Sequence, residues 1–402
     1  MNILYIHQYF CTPQEPGATR SYWISKELVR RGHKVVMITS ATENHPGTHV
    51  EMIDGIEVHY INNEYSNYMS KFDKVKSFVK FMIKSVKEAS SQKNINMVFA
   101  TSTPLTVGGV ALWLKKAKGW NYVFEVRDLW PEFPIQVGAI KNQLLINILR
   151  RFEKSIYNNA KHVIGLSPGM VDGILKAGTP SKKVSMVPNM SKPDSFYPHP
   201  ANHEIADAFG INLSKFNIIH FGSMGVANGL NYLIEAARFL KDDNVDFLFM
   251  GEGATEPKLK DLANKYSLSN VKFLGNHPMK TVMEVVNCCD LSVTSFMNLP
   301  ILATNSPNKL FDSLSAGKPI AVNSNGWTKE MVEVNDCGFY ADPDNPEDFA
   351  MKVKEIKDNK DILQRWGDNA RRLSETTYDK SVLSAKVADI LENAVSKSPR
   401  LY

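Results

Sequence analysis

The opening of the chain narrows the fold more than any other stretch. Residues 2–7 form an apolar run of strand character, and residues 8–18 a polar loop bearing Gly and Pro. Residues 19–31 follow with helical spacing, stopped by Gly32, and residues 34–39 read as a second strand. Strand, loop, helix, Arg-Gly-His turn and strand make a βαβ unit, which demands a parallel sheet and right-handed crossovers. The alternation continues, with strand-like runs at 56–61, 97–100, 122–126, 162–166 and 184–188.

After Pro188 the pattern breaks. Four prolines in thirteen residues, interspersed with Asn, Ser and Asp, read as a linker. A second series then starts, with strands expected at 217–221, 247–250, 271–274, 291–294, 320–322 and 338–340, and residues 346–396 read as helices only. At 402 residues the chain exceeds one typical domain. The expected fold is α/β, with two Rossmann-like doubly wound domains facing a cleft: residues 1–190, a linker at 191–204, residues 205–375, and a closing helical segment at 376–402. The ligand is expected in the cleft, at the strand C-termini. A dinucleotide is excluded, because the first loop holds only Gly17 instead of G-x-G-x-x-G and no acidic residue ends the second strand.

No apolar run approaches the roughly 18 residues of a membrane span, and the first residues lack the basic, small-residue pattern of a signal peptide. Cys11, Cys288, Cys289 and Cys337 show neither metal spacing nor a disulfide framework, which suits a reducing cytosol. The expected location is cytoplasmic. Residues 1–190 carry a net charge of +10 and the remainder −5, so the first half favours an anionic partner. A membrane surface, a phosphorylated substrate and a nucleic acid all fit that charge.

The richest stretch for chemistry runs from Thr304 to Ile320. Asn305 or Ser306 can cap a helix, Pro307 suits its first position, and Gly317 with Pro319 ends it. A helix start offers unpaired amides and partial positive charge to an anion. Lys309 stands in that first turn, and Asp312 follows roughly 4.5 Å along the axis. This arrangement suits a nucleoside diphosphate, with the lysine on the phosphates and the carboxylate on the ribose hydroxyls. An ordinary αβ unit with a solvated lysine is the alternative. Gly222, Ser223, Gly225 and Gly229, after the first strand of the second series, form a Gly-rich loop that can approach phosphate. Glu252 and Gly253, at the next strand end, sit in another glycine turn.

In the first half, Gly17 and Arg20 flank a helix start, where Arg20 could add a cation to the diphosphate or be a plain surface residue. His7 ends the first strand, as a cleft residue or a buried structural one. Arg127, Asp128 and Trp130 bunch at a strand end. Asp128 is the candidate base or acceptor-hydroxyl ligand, Trp130 a sugar contact, and a helix cap with an Arg127 ion pair the plainer reading. Residues 71–87 carry six lysines against Asp73, with Phe72, Val75, Val79, Met82, Ile83 and Val86 on one stripe and Phe78 and Phe81 widening it. Lys74, Phe78, Lys80, Phe81 and Lys84 are therefore expected at an anionic membrane surface, against the alternative of a crossover helix buried on its sheet.

Taken together, these motifs resemble the retaining GT-B glycosyltransferases of family 4, and within them the bacterial L-fucosamine (FucNAc) transferase-like enzymes of O-antigen and capsule synthesis. The resemblance runs over nearly the whole chain: the opening Tyr5-Ile6-His7-Gln8-Tyr9-Phe10, Arg31-Gly32-His33, Asp128-Leu129-Trp130-Pro131-Glu132, Val187-Pro188-Asn189, the Gly222 loop and Ser306-Pro307-Asn308-Lys309-Leu310-Phe311-Asp312. It implies a donor site comprising Gly17, Arg20, Gly222, Ser223, Gly225, Glu252, Gly253, Thr304, Asn305, Ser306, Asn308, Lys309, Leu310 and Asp312. It also implies a C-terminal helix returning to the first domain. The family's Arg and Lys in the Gly-rich loop are here Ser223 and Asn228, and the first of its two glutamates falls at Thr304, the second at Asp312.

The activity implied is transfer, with retention and without a metal or other cofactor, of a sugar from an NDP-sugar, UDP-linked and N-acetylated. Asp128, His7 and Lys309 are its catalytic candidates. The acceptor implied is a polyprenyl-diphosphate-linked saccharide at the inner face of the membrane, with no nucleic acid partner. A UDP-sugar epimerase of the same architecture and a non-catalytic subunit of a glycan assembly complex are the alternatives.

Overall fold

The computed structural model describes residues 1–15, 17–41, 47–64 and 69–396, without the side chain of Lys71. Pro16 of the first loop, residues 397–402 of the closing segment and the Lys71 side chain of the basic helix thus lie outside the described residues. Two compact units result, Met1–Pro188 with the chain from Lys380 onward, and Asn189–Asp379.

The first unit begins β1 (Asn2–Ile6), α1 (Arg20–Arg30), β2 (Lys34–Ser40), β3 (Thr48–Ile53) and β4 (Ile56–Ile61). It continues α2 (Lys71–Ser91), β5 (Met97–Thr101), α3 (Thr106–Lys118), β6 (Tyr122–Val126), α4 (Glu132–Gln136) and α5 (Gln143–Asn159). It then runs through β7 (His162–Gly165), α6 (Pro168–Lys176) and β8 (Val184–Met186). The sheet order is β3-β4-β2-β1-β5-β6-β7-β8, parallel except where β3 runs antiparallel to β4. Every residue of β5 and β6 is buried, as helices on both faces of a parallel sheet require. Strand order reverses between β1 and β5, so the side chains just beyond those strands converge.

The second unit holds α7 (His203–Ala208), β9 (Phe216–Phe221), α8 (Asn231–Phe239), β10 (Val245–Met250), α9 (Glu256–Lys265) and β11 (Val271–Gly275). Next come α10 (Met279–Asn287), β12 (Leu291–Thr294), α11 (Asn308–Ser315), β13 (Ile320–Val322), α12 (Trp327–Val334) and β14 (Gly338–Tyr340). It ends with α13 (Pro346–Ile356) and α14 (Lys360–Glu375). Its sheet, β11-β10-β9-β12-β13-β14, is wholly parallel and reverses between β9 and β12. Residues 191–204, read as a linker from their prolines, belong to this unit. The Ser191 amide donates to Tyr378 O at 2.7 Å, its hydroxyl to Phe311 O at 3.0 Å, and Phe196 is buried against Phe221.

The last helix, α15 (Lys380–Ser396), packs on α1 of the first unit. Arg31 donates to Asp389 at 2.7 Å and Glu392 at 3.0 Å, and Lys380 Nζ lies 3.8 Å from the Trp23 ring centroid.

Candidate functional site

The switch point of the second sheet gathers the nucleotide candidates. The loop after β9 begins at Gly222, whose φ of +102° suits glycine. Here the glycines let two loops meet. A Cβ on Gly251 would stand 2.1 Å from Gly222 O, and one on Gly253 2.5 Å from Met224 O. The Met224 amide donates to Glu252 O at 2.8 Å, and the Thr255 amide and hydroxyl both donate to Met224 O. Gly225 and Ser223 line the same turn, which Asn228 ties together by donating to Ser223 O at 2.9 Å. The Glu252 carboxylate is exposed and receives Asn276 Nδ2 at 3.3 Å.

The segment before α11 is pinned from outside the helix. Thr304 Oγ1 donates to Ile301 O, and Asn305 O accepts from Trp327 Nε1. Ser306 Oγ accepts the Asn189 amide at 3.1 Å. The helix itself begins at Asn308 with Pro307 at the N-cap and no side-chain cap, which corrects the expectation of an Asn305 or Ser306 cap. A proline cannot cap through its side chain, so the Asn308 and Lys309 amides of the first turn stay uncapped, the condition an anion needs. The Leu310 amide is already donated to Pro307 O and its side chain is fully buried, so Leu310 is a packing residue rather than a donor ligand.

Lys309 reaches back across the switch point. Its side chain is partly buried. Nζ donates to His220 Nε2 at 3.1 Å and to Asn228 Oδ1 at 3.3 Å, and its Cε lies near the place a Gly222 Cβ would occupy. Burial pushes the amine down to about 7. Asp312 does not wait for a ribose. Its carboxylate is nearly buried and ion-paired with Lys192 at 2.7 Å, because the chain at 191–196 runs along α11.

In the first unit the switch point between β1 and β5 brings together His7, Ser21, Ser102, Thr103, Arg127 and Asp128. His7 is buried, with Nδ1 2.9 Å from Ser21 Oγ and Nε2 3.2 Å from Arg127 Nη1. The guanidinium can only donate, so Nε2 accepts and Nδ1–H points to Ser21. Burial, with the Arg127 charge adding to it, holds the imidazole well below its usual range, hence neutral. Arg127 is anchored by its amide on Ser102 Oγ at 3.0 Å. Asp128 Oδ2 accepts from Thr103 Oγ1 at 2.8 Å, and burial raises its carboxyl, opposed by that bond and by Arg127. Trp130 is partly exposed and meets Phe78 edge-on at 6.4 Å.

Arg20 is the clearest correction. Its side chain is buried, with Nε and Nη2 on the Glu125 carboxylate at 2.9 and 2.8 Å, Nη2 on Val187 O at 3.0 Å and Nη1 on Pro188 O. It is no free cation for a diphosphate, because Glu125 lies inside the sheet and needs it. Gly17 takes φ +144° and packs on Cys11, whose Sγ lies 2.7 Å from a Cβ there.

The basic helix α2 is rotated from the expected face. Ser77, Phe81, Ser85 and Ala89, spaced four apart, are the buried stripe, so Phe81 is core and not a membrane residue. Lys84 bends onto Asn62 O at 2.5 Å. Phe72 (78% exposed), Val75, Val79 and Ile83 (61%) point outward instead, with Lys80 exposed among them. Two helices away, α5 exposes Leu144 (71%), Leu145 and Ile148. The helix between them, α3, seats Gly109 between Met82 and Phe152.

Sequence reasoning missed His220, Lys192 and Thr103. The first had a signal, a histidine near the C-terminal end of the largely apolar strand just before the Gly-rich loop. Among the described residues no group of three or more His, Cys, Asp or Glu stands together as a metal site would require.

Two switch-point sheets, one of them with a lysine at an uncapped helix start, make a two-domain α/β fold of the GT-B kind. The comparisons agree: residues 17–190 match the glycosyl transferase 4-like domain and residues 202–373 the glycosyl transferases group 1 family. The chain belongs to the group 1 glycosyltransferases. It is 22% identical over 321 residues to the "Probable glycosyltransferase WbjE" of Pseudomonas aeruginosa, covering 78% of each chain. Sucrose-phosphate synthase from Thermosynechococcus elongatus shares the fold at a TM-score of 0.78 and 15% identity, covering 99% of this chain and 100% of that one. Anabaena HepE, solved with UDP and glucose, superimposes at 0.71 with 16% identity, covering 98% of this chain and 100% of HepE.

Proposed function

We propose that the protein transfers a sugar, with retention, from a UDP-sugar to a lipid-linked saccharide during surface polysaccharide assembly. The observation that carries the donor half is Lys309. An amine at an uncapped helix start, beside a Gly-rich loop at a topological switch point, is placed to meet a diphosphate. As the glycosidic bond breaks, charge grows on the leaving diphosphate, and the lysine and first-turn amides meet it without a metal. HepE, a structural neighbour, was solved with UDP, which supports uracil as the base. On the acceptor side Asp128 engages the incoming hydroxyl, with Arg127 held by His7. The donor phosphate takes the acceptor proton in a front-face reaction, so no protein nucleophile is needed. The resemblance to FucNAc transferase-like enzymes supports an N-acetylated deoxy sugar.

The exposed apolar residues of α2 and α5, with the lysines among them, support a peripheral seat on the inner face of an anionic membrane, the source of a polyprenyl-diphosphate acceptor. No helix among the described residues is long and apolar enough to cross a membrane.

The test is calorimetric binding of UDP, GDP and ADP in chelator-containing buffer, to wild type and Lys309→Ala. Selective UDP binding, weakened by the substitution, is expected. A requirement for added divalent metal would overturn the metal-free reading, and binding unchanged in Lys309→Ala would overturn the site.

A further inference from the structure

We propose that binding of a nucleoside diphosphate at this site is proton-linked, Lys309 taking up a proton as the diphosphate enters, with His220 as the positioning residue that governs the uptake. This rests on the reading of Lys309 as a diphosphate ligand.

Groups on the neighbouring elements set the surroundings of the lysine. From β9 comes His220, buried, with Nε2 3.1 Å from Nζ. With Nζ donating to Nε2, the ring proton belongs on Nδ1, which meets no hydrogen-bond partner among the described residues. From the loop after β9 comes the neutral amide oxygen of Asn228. From the lysine's own helix comes Asp312, whose charge is engaged by Lys192 at 2.7 Å. From the loop after β10, Glu252 is exposed and turned to Asn276.

The amine therefore leans on two neutral acceptors, and burial disfavours its charge. His220 is held neutral as well, by burial and by the lysine beside it. A diphosphate reverses the balance. It brings negative charge to an amine that is part-neutral near pH 7, and the amine ionises to meet it. The sign follows. Below about pH 7 the lysine is already protonated and binding takes up little. Above it, each bound diphosphate draws about one proton from solution, and affinity falls by up to about tenfold per pH unit as pH rises. His220 Nε2 accepts from the charged form, so it keeps the free lysine from losing its proton still lower.

The experiment is UDP titration calorimetry at pH 7 and 8.5 in phosphate and Tris, buffers of different ionisation enthalpy. Wild type should take up about one proton per UDP at pH 8.5 and about half at pH 7. Lys309→Met should bind more weakly with uptake near zero at pH 8.5. His220→Phe, which deletes the acceptor, should raise the uptake at pH 7 toward one, and His220→Gln, which restores an acceptor, should return it toward one half. Heat independent of buffer at pH 8.5, or His220→Phe matching wild type at pH 7, overturns the proposal while UDP still binds. Absence of any UDP, GDP or ADP binding instead overturns the nucleotide reading beneath it. A measurement on unliganded wild type guards against a variant that fails to fold. The 13Cε resonance lost in Lys309→Met should titrate near 7, and a midpoint near 10.4, the ordinary lysine value, overturns the proposal.

Discussion

Arg20 and Asp128 carry opposite lessons about buried charge. Arg20 is fully engaged by Glu125 and two carbonyls, so Arg20→Met leaves a carboxylate alone inside the sheet. The expected cost is about 3–5 kcal/mol, read as a lowered Tm by scanning calorimetry, with much of it recovered in Arg20→Met/Glu125→Gln. A phosphate-binding arginine would instead lower nucleotide affinity and leave Tm alone. Asp128 is partly buried, with Thr103 and the Arg127 charge to favour its ionised form, and its carboxyl is raised. If it must be ionised to engage the acceptor, the acid limb of activity lies above the ordinary aspartate range of about 3.9. Stability has the other sign, because above the raised pKa the folded state carries a charge that burial disfavours. Asp128→Asn should therefore lose roughly 10²–10⁴ in rate, with Tm at pH 7 unchanged or higher.

At the level of elements, the Gly-rich loop and the basic helix separate composition from placement. Glycines at 222, 251 and 253 were legible as a phosphate-loop signal, yet they are needed for one loop to lie on the other. Gly251→Ala meets Gly222 O and takes φ +133°, so a loss of about 3 kcal/mol or more is expected. Gly210→Ala, with open space and φ +63°, should cost only about 1 kcal/mol by the same denaturation assay. In α2 the apolar stripe was legible but its direction was not, because small Ser77, Ser85 and Ala89 allow a close approach to the sheet and turn Phe72 and Ile83 outward. Replacing Lys76, Lys80 and Lys87 by Ala should weaken co-sedimentation with anionic vesicles by roughly 3 kcal/mol, on the order of a hundred-fold. Unchanged vesicle binding would remove the membrane role of this face. The edge strand β3 went unread although Asp54-Gly55, at φ +49° and +85°, is a hairpin turn signal. Its exposed residues, Thr48-His49-Val50-Glu51-Met52, lack the continuous apolar run that marks the buried strands.

For the molecule as a whole, the closing helix decides how the first unit is completed. Leu383, Val387, Ala388 and Leu391 of α15 are buried on that unit, so Leu391→Ala should cost about 2–5 kcal/mol. The loss should appear in the calorimetric transition that Arg20→Met also lowers, and not in the one that Gly251→Ala lowers. Sequence alone determined the alternation of strand and helix, the parallel sheets, the restart after Pro188, and Lys309 at a helix start. These follow from local periodicity and from glycine and proline, which act over a few residues. Only the tertiary structure decided which charges are spent. Arg20 meets Glu125 across 105 residues, Asp312 meets Lys192, and His220 meets Lys309 across 89. Such pairings depend on which strand ends the switch points bring together, and on the cost of leaving a buried charge unpaired, neither of which local spacing encodes.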